Sequence, residues 1–346
     1  MEQTGAVKAQ VVALVLGIVL VGCGQPVDGT ATAREPSADP GFFFADDVPT
    51  HGQTVGKSDA VMLSYLRAMR RLDVCGLIEQ ETQSAIGDIS AMSTLYAFDE
   101  CDVEVKMPGV ANRKFLNVTL DLAKVKEPPS FRAGDVPVYE SAPRSCEYVI
   151  PVALGDLPGA SPLRKPVQPV VRVGQIGDQD CELTKKFAAG VAETVGTAPL
   201  PPRDAAAVYP VALAERDPCE VLSAIADEVD HWDVAASRPY ACEFGVWRDG
   251  DPDVVGLRLT LQPKIVDIAT EGRKQLKTPD GDELYLDPTF CSATVFTGPT
   301  MQRRLAGGDF VDVENVVVRP AVTVDGGKGD CAAAVDVAGV AARVFG

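Results

Sequence analysis

Eight of the nine cysteines carry the clearest chemistry in this 346-residue chain. Cys75, Cys101, Cys146 and Cys181 form one set; Cys219, Cys242, Cys291 and Cys331 form another. Their spacings run 26, 45 and 35, then 23, 49 and 40. Local sequence agrees with the spacing. Leu72-Asp73-Val74-Cys75-Gly76-Leu77 parallels Arg216-Asp217-Pro218-Cys219-Glu220-Val221, and Cys101-Asp102-Val103 parallels Cys242-Glu243-Phe244. Cys146 and Cys291 each enter a strand-like run. The pattern reads as an internal duplication. An even cysteine count in an exported chain implies disulfides, and four cysteines allow three connectivities in each half. Of these we expect Cys75–Cys101, Cys146–Cys181, Cys219–Cys242 and Cys291–Cys331, which link each helix to its nearest strand. Structural zinc favours close pairs such as C-x₂-C. No two cysteines here are that near, so no metal or other cofactor is expected.

Acid–base chemistry has little to work with. The chain has two histidines, His51 and His231, and both read as surface or capping residues. Thr50-His51-Gly52 has the form of a tripeptide in cell-wall transpeptidases, but no nucleophilic cysteine follows soon after it. Neither G-x-S-x-G nor S-x-x-K occurs. Carboxylates are abundant enough that a glycosidase-type pair is conceivable, and for the same reason no pair can be nominated. Asp249-Gly250-Asp251-Pro252-Asp253 has acids at alternate positions. An EF-hand would need Gly and Glu where Val254 and Thr260 stand, so a hairpin turn is the better reading. Asp280-Gly281-Asp282 reads as another turn. Trp232, Tyr240 and Trp247 cluster around Cys242 and read as core packing rather than a sugar platform.

The amino terminus argues for export. Val11–Val21 is an apolar run too short to span a bilayer comfortably and suits a signal-peptide core, over residues 1–22. Only Lys8 supplies positive charge ahead of it. Leu20-Val21-Gly22-Cys23 resembles the bacterial lipobox. That resemblance implies cleavage before Cys23, diacylation of its sulfur, and anchoring at the outer face of a membrane. Residues 23–57 then read as a flexible tether with Pro26, Pro36, Pro40 and Pro49. Phe42, Phe43 and Phe44 are out of place in a polar tether. Either they pack back onto the following domain or they contact a partner or the membrane.

The elements that must hold the cysteines follow the same two-part plan. The first domain, 58–196, opens with an N-cap at Ser58-Asp59 and an apolar helical face of Met62, Leu66 and Met69. A second short helix runs through Ile86. Strands are expected at 102–107, 115–122, 136–139, 146–154 and 167–173. Asp180-Cys181 then opens a helix with Leu183, Phe187, Val191 and Val195 on one face, stopped by Gly196. A proline-rich linker covers 197–204. The second domain, 205–346, repeats the order. A helix is expected over 219–229, strands over 241–247, 254–262, 284–286, 291–297 and 313–324, and a last helix from Asp330-Cys331 with the same offsets as the first. The fold class is α+β: two tandem similar domains, each an antiparallel sheet flanked by an N-terminal and a C-terminal helix and stapled by two disulfides.

With Asp-Pro-Cys-x-x-Leu at 217–222, a mid-domain cysteine entering a strand, and a late Asp-Cys opening an Ala/Val-rich helix, the chain resembles actinobacterial envelope lipoproteins carrying a domain of unknown function. More loosely it is similar to the extracellular sensor domains of mycobacterial serine/threonine kinases. Val74 departs from the pattern, standing where proline is expected. The resemblance implies an envelope protein and brings no catalytic residues. A net charge of −17 argues against nucleic-acid binding. The expected function is therefore binding, sensing or accessory work on the extracytoplasmic face, through an envelope protein or wall ligand, with no enzyme activity. The rivals are a carboxylate-dependent wall hydrolase and a passive spacer.

Overall fold

The computed structural model describes residues 43–44, 47–107, 113–125, 128–154, 167–177, 180–197, 200–203, 211–248, 253–305, 310–312, 316–326 and 331–346. Cys23, Phe42 and the acid run at 249–252 lie outside them. Residues 36–346 belong to one compact unit. The chain is α+β with two antiparallel sheets and four disulfides, Cys75–Cys101, Cys146–Cys181, Cys219–Cys242 and Cys291–Cys331.

The N-terminal half begins with helices α1 (Lys57–Arg70) and α2 (Gln80–Ile86). Strands β1 (Asp88–Ser93), β2 (Glu100–Lys106), β3 (Arg113–Ala123), β4 (Phe131–Ala133), β5 (Val136–Glu140), β6 (Tyr148–Pro151) and β7 (Gln168–Ile176) follow, then α3 (Cys181–Thr197). The C-terminal half has the short α4 (Val221–Ala224), β8 (Val229–Trp232), β9 (Ala241–Val246) and β10 (Val255–Ile265). Next come α5 (Val266–Thr270), β11 (Lys274–Lys277), β12 (Glu283–Asp287) and β13 (Ser292–Phe296). The half ends with β14 (Gln302–Leu305), β15 (Phe310–Asp312), β16 (Val318–Gly326) and α6 (Cys331–Phe345).

The two sheets share one strand order. The first runs β1-β2-β3-β7-β6-β5-β4 and the second β8-β9-β10-β16-β13-β12-β11. The registers match to the residue. Cys101 lies opposite Val118, which lies opposite Val173; Cys242 lies opposite Leu259, which lies opposite Val324. Val149 faces Arg172 as Thr294 faces Thr323. Strand residues alternate between faces, so α3 and α6 each cover the apolar face of their own sheet and leave the other face polar. On the covered side Phe187, Val191 and Ala192 of α3, and Ala334, Ala338 and Ala341 of α6, are buried.

The halves exchange parts. The loop joining β1 to β2 sends Phe98 into the core of the C-terminal half, edge-on to Tyr240 at 5.4 Å. The corresponding loop joining β8 to β9 sends Val234 into the core of the N-terminal half. The β14–β15 hairpin leaves its own sheet and pairs with edge strand β1, Ala91 opposite Leu305, extending the first sheet to nine strands. That pairing covers an edge that would otherwise present unpaired backbone groups.

Several sequence expectations need correction. Residues 43–44 and 47–56 are not part of a tether. Phe43 is buried in the same core as Met62 and Leu66, and Phe44 packs edge-on to Tyr65 at 5.7 Å. This is the first of the two arrangements expected for the run, with Phe43 buried and Phe44 half-buried. Helix α1 starts after Gly56 rather than at Ser58-Asp59, with Asp59 in the first turn. Gly196 lies inside α3 rather than stopping it, at a point where a Cβ would strike Val136 of β5. The helix expected over 219–229 is a 3₁₀ turn, Pro218–Glu220, followed by the four residues of α4. Strands β1, β4, β8, β11, β14 and β15 were not anticipated. Most are short or carry no clean alternation, which leaves periodicity little to read.

Candidate functional site

The polar face of the second sheet carries a pocket of about 290 Å³. Along β10 the alternation turns Leu261 into the core and leaves Gln262 and Lys264 on the polar side. Helix α5 leaves directly from the end of β10 and sets Ile268, 66% exposed, on the rim. Strand β12 contributes Tyr285 and Asp287, β13 contributes Ser292 and Thr294, and Arg273 precedes β11. The far wall comes from the other half, because the loop that carries Phe98 also places Leu95 and the exposed Tyr96 over this face.

Part of this lining is internally satisfied. Asp287 pairs with Arg273 and accepts a 2.8 Å hydrogen bond from the Thr289 amide. The Tyr285 hydroxyl donates to Glu283 at 2.8 Å, and Thr294 shares a hydrogen bond with Thr323. The rest is not. Among the described residues, Lys264, Gln262, Ser292 and Tyr96 make no side-chain hydrogen bond or ion pair. Burial pushes the Lys264 ammonium below its ordinary pKa. Asp325 opposes that shift and Arg273 adds to it. A half-buried cation and three neutral polar groups therefore converge on one small pocket with aromatic and aliphatic walls. Ligand sites are commonly built this way.

The N-terminal half has a pocket in the corresponding place, of about 350 Å³. By register Asp121 stands where Gln262 stands, Tyr139 where Tyr285 does, and Val149 where Thr294 does. Its overhanging residue is Arg238, from the exchanged loop of the other half. Here the charges neutralise one another. Asp121 accepts from Arg172 at 2.8 Å and pairs with Arg238 at 3.2 Å, while Glu147 accepts from Arg172 at 2.8 Å. Burial lowers the Arg172 pKa, but its hydrogen bonds to Asp121 and Glu147 outweigh that and raise it.

Three further carboxylates, Asp99, Glu100 and Asp102, lie together at the start of β2. Burial pushes Asp99 up to about 7, helped by Glu100 and Asp121 and opposed by Arg238. Asp102 is pushed up by burial and by Glu100 beside it. Both Asp102 oxygens are shielded from solvent and lack an ordinary donor. A proton held by Asp102 and donated to Glu100, which also accepts from Asn117 at 2.8 Å, satisfies that geometry. Oxygens so enclosed do not reach a polymeric substrate.

His51 is not at the surface. It sits between the halves, its ring 5.9 Å from that of Trp232 and its Nε2 3.7 Å from Asp217 Oδ2. Asp217 also accepts from Arg70 of α1 at 2.5 Å and from the Cys219 amide at 3.0 Å. Burial alone would raise the Asp217 carboxyl, but Arg70 and the Cys219 amide, with His51 alongside, hold it at about 2. This cluster clamps the two halves. His231 is exposed and bonded to Asp230 at 2.8 Å. Of the aromatic cluster, Tyr240 is buried, Trp232 packs on both cores and Trp247 is exposed. Asp280-Gly281-Asp282 forms the turn between β11 and β12, with Gly281 at φ +95°.

Sequence reasoning missed the Lys264 pocket. Lys264 and Gln262 lie on β10, Ser292 lies on β13, and Tyr96 comes from the other half of the chain. The one available signal was the polar alternation of Arg258, Thr260, Gln262 and Lys264 along one strand. Comparison with known proteins finds no matching family model, no similar curated protein and no similar solved structure.

Proposed function

We propose that the chain is a lipid-anchored binding module of a bacterial envelope, built from two tandem copies of one disulfide-stapled α+β domain and without catalysis of its own. The identical strand order and register of the two sheets support the duplication. The signal-like segment, the lipobox-like Leu20-Val21-Gly22-Cys23 and the disulfides support export and anchoring through Cys23. No helix among the described residues is long and apolar enough to cross a membrane, so anchoring would rest on the lipid.

The observation that carries the binding role is the Lys264 pocket, where four half-buried or exposed polar side chains converge without internal partners. The other half uses the equivalent space for a closed ion-pair network. In this reading one copy has become structural and the other presents the ligand. The test is an in-cell crosslinking pull-down of the lipidated protein, with a photoreactive residue at Ile268, read by mass spectrometry. A discrete adduct at the pocket, lost when Cys23→Ala releases the protein from the membrane fraction, is the expected result. Adducts confined to surfaces remote from the pocket would set the reading aside.

A further inference from the structure

The two corresponding pockets differ in one chemical respect. In the N-terminal half the Asp121 carboxylate lies between two guanidinium groups, 2.8 Å from Arg172 Nε and 3.2 Å from Arg238 Nε. In the C-terminal half the register position of Asp121 is taken by Gln262, which has the shape of an acid side chain but no charge. A cation remains two residues along the same strand. Lys264 makes no ion pair or hydrogen bond among the described residues, whereas its neighbour Arg273 is already neutralised by Asp287. In one pocket the cations are paired by its own carboxylates; in the other, Asp287 is taken up by Arg273 and Lys264 is left without an ion-pair partner among the described residues.

From this difference we infer that the Lys264 pocket binds a small anionic molecule, a carboxylate or phosphate ester, whose charge takes the part that Asp121 plays in the other half. The inference rests on the pocket reading above and names its ligand class. Lys264 supplies the ammonium, and its half-buried position strengthens the pairing relative to the surface. Gln262 and Ser292 can each donate to the remaining anion oxygens or to hydroxyls of the ligand. Tyr96 and Tyr285 provide flat apolar walls suited to a ring. The volume, about 290 Å³, suits a body the size of a single sugar ring rather than a polymer.

The test uses the full mature chain, ¹⁵N-labelled, titrated with methyl β-glucuronide, glucose 6-phosphate and neutral methyl β-glucoside. The expected result is saturable shifts at the Gln262, Lys264 and Ser292 amides with at least one anionic probe, and none with the glucoside. Glucuronide against phosphate distinguishes the two sources of charge. Lys264→Met should weaken that binding at least tenfold. Gln262→Asp, which writes the acid of the other half into this pocket, should do the same while leaving the unfolding transition in place. If the glucoside shifts the same amides equally in wild type and Lys264→Met, the anionic assignment fails but the pocket reading stands. If no probe shifts the pocket, the anionic assignment falls, and the crosslinking result at Ile268 decides the pocket reading separately.

Discussion

Cys146 and Cys291 both hold the left-handed backbone conformation, φ +52° and +48°, and both stand three residues before an equivalent strand pair, Val149 with Arg172 and Thr294 with Thr323. A side chain in this region costs roughly 1–2 kcal/mol. Each cysteine bends the chain so that its sulfur meets the first residue of a helix, Cys181 of α3 or Cys331 of α6. The shared strained position supports descent of the two halves from one domain more directly than the spacing of cysteines does.

That geometry makes a prediction about glycine. In a Cys331→Ala background, where the bridge is already lost, Cys291→Gly should be more stable than Cys291→Ala by about 1 kcal/mol, since glycine accepts positive φ without a Cβ clash. Urea unfolding of the two variants measures it. Equal midpoints would mean that the left-handed turn is not retained without the disulfide. Relative to the oxidised parent, either variant should lose about 3 kcal/mol or more, from the loop the bridge closes.

The clamp between the halves should behave as a buried ion pair. Arg70→Met leaves the Asp217 carboxylate without its cation, and such broken pairs cost about 3–5 kcal/mol. Because the folded pKa of Asp217 lies near 2, below its ordinary value of 3.8, its contribution is present above pH 4 and is lost as pH falls toward 2. Acid unfolding monitored by near-UV circular dichroism should therefore begin at higher pH in Arg70→Met than in the wild type.

Asp102 predicts the opposite pH trend. Its folded pKa is raised to about 8 by burial and by Glu100, so the folded state holds a proton that the unfolded state releases. Stability from this group is present below pH 4 and is lost as pH rises toward 8. Asp102→Asn keeps a donor for Glu100 and removes the titration. It should stabilise the protein at pH 8.5 by about 2 kcal/mol, with the gain vanishing at pH 4. Thermal melts at the two pH values check it.

Two helix glycines separate packing from propensity. A Cβ at Gly190 of α3 would lie 2.6 Å from Thr82 Cγ2 and 2.9 Å from Thr82 Cβ, on the buried face of α2. Gly190→Ala should cost about 1–3 kcal/mol through overpacking. At Gly339 of α6 the nearest such atom is Pro279 Cδ, at 4.0 Å. Gly339→Ala should stabilise by about 0.5–1 kcal/mol, the helix propensity difference. Chemical denaturation of the pair gives both signs.

What was legible in the sequence was what repeats locally. The long helix faces of α3 and α6, the core alternation of β3 and β10, and disulfides in an α+β fold all follow from spacing and periodicity. What was not legible depends on the chain crossing itself. Nothing around Phe98 says that it enters the other half's core, and nothing around Leu305 says that it will pair with Ala91. His51 was read as a surface residue because its partners, Asp217 and Trp232, lie more than 160 residues away in sequence. Lys264 was invisible as a site residue because it acquires its meaning from Tyr96 above it and from comparison with Asp121 in the other half. The triple phenylalanine was ambiguous, since an apolar run in a polar segment does not say whether its own body or something else will cover it.

The most direct measurement is native mass spectrometry of the lipidated protein isolated from its host's membranes, compared with Gln262→Asp prepared the same way. The account predicts a small anionic molecule retained at one per chain by the wild type and absent from the variant. Wild type and variant both free of any bound molecule would contradict it.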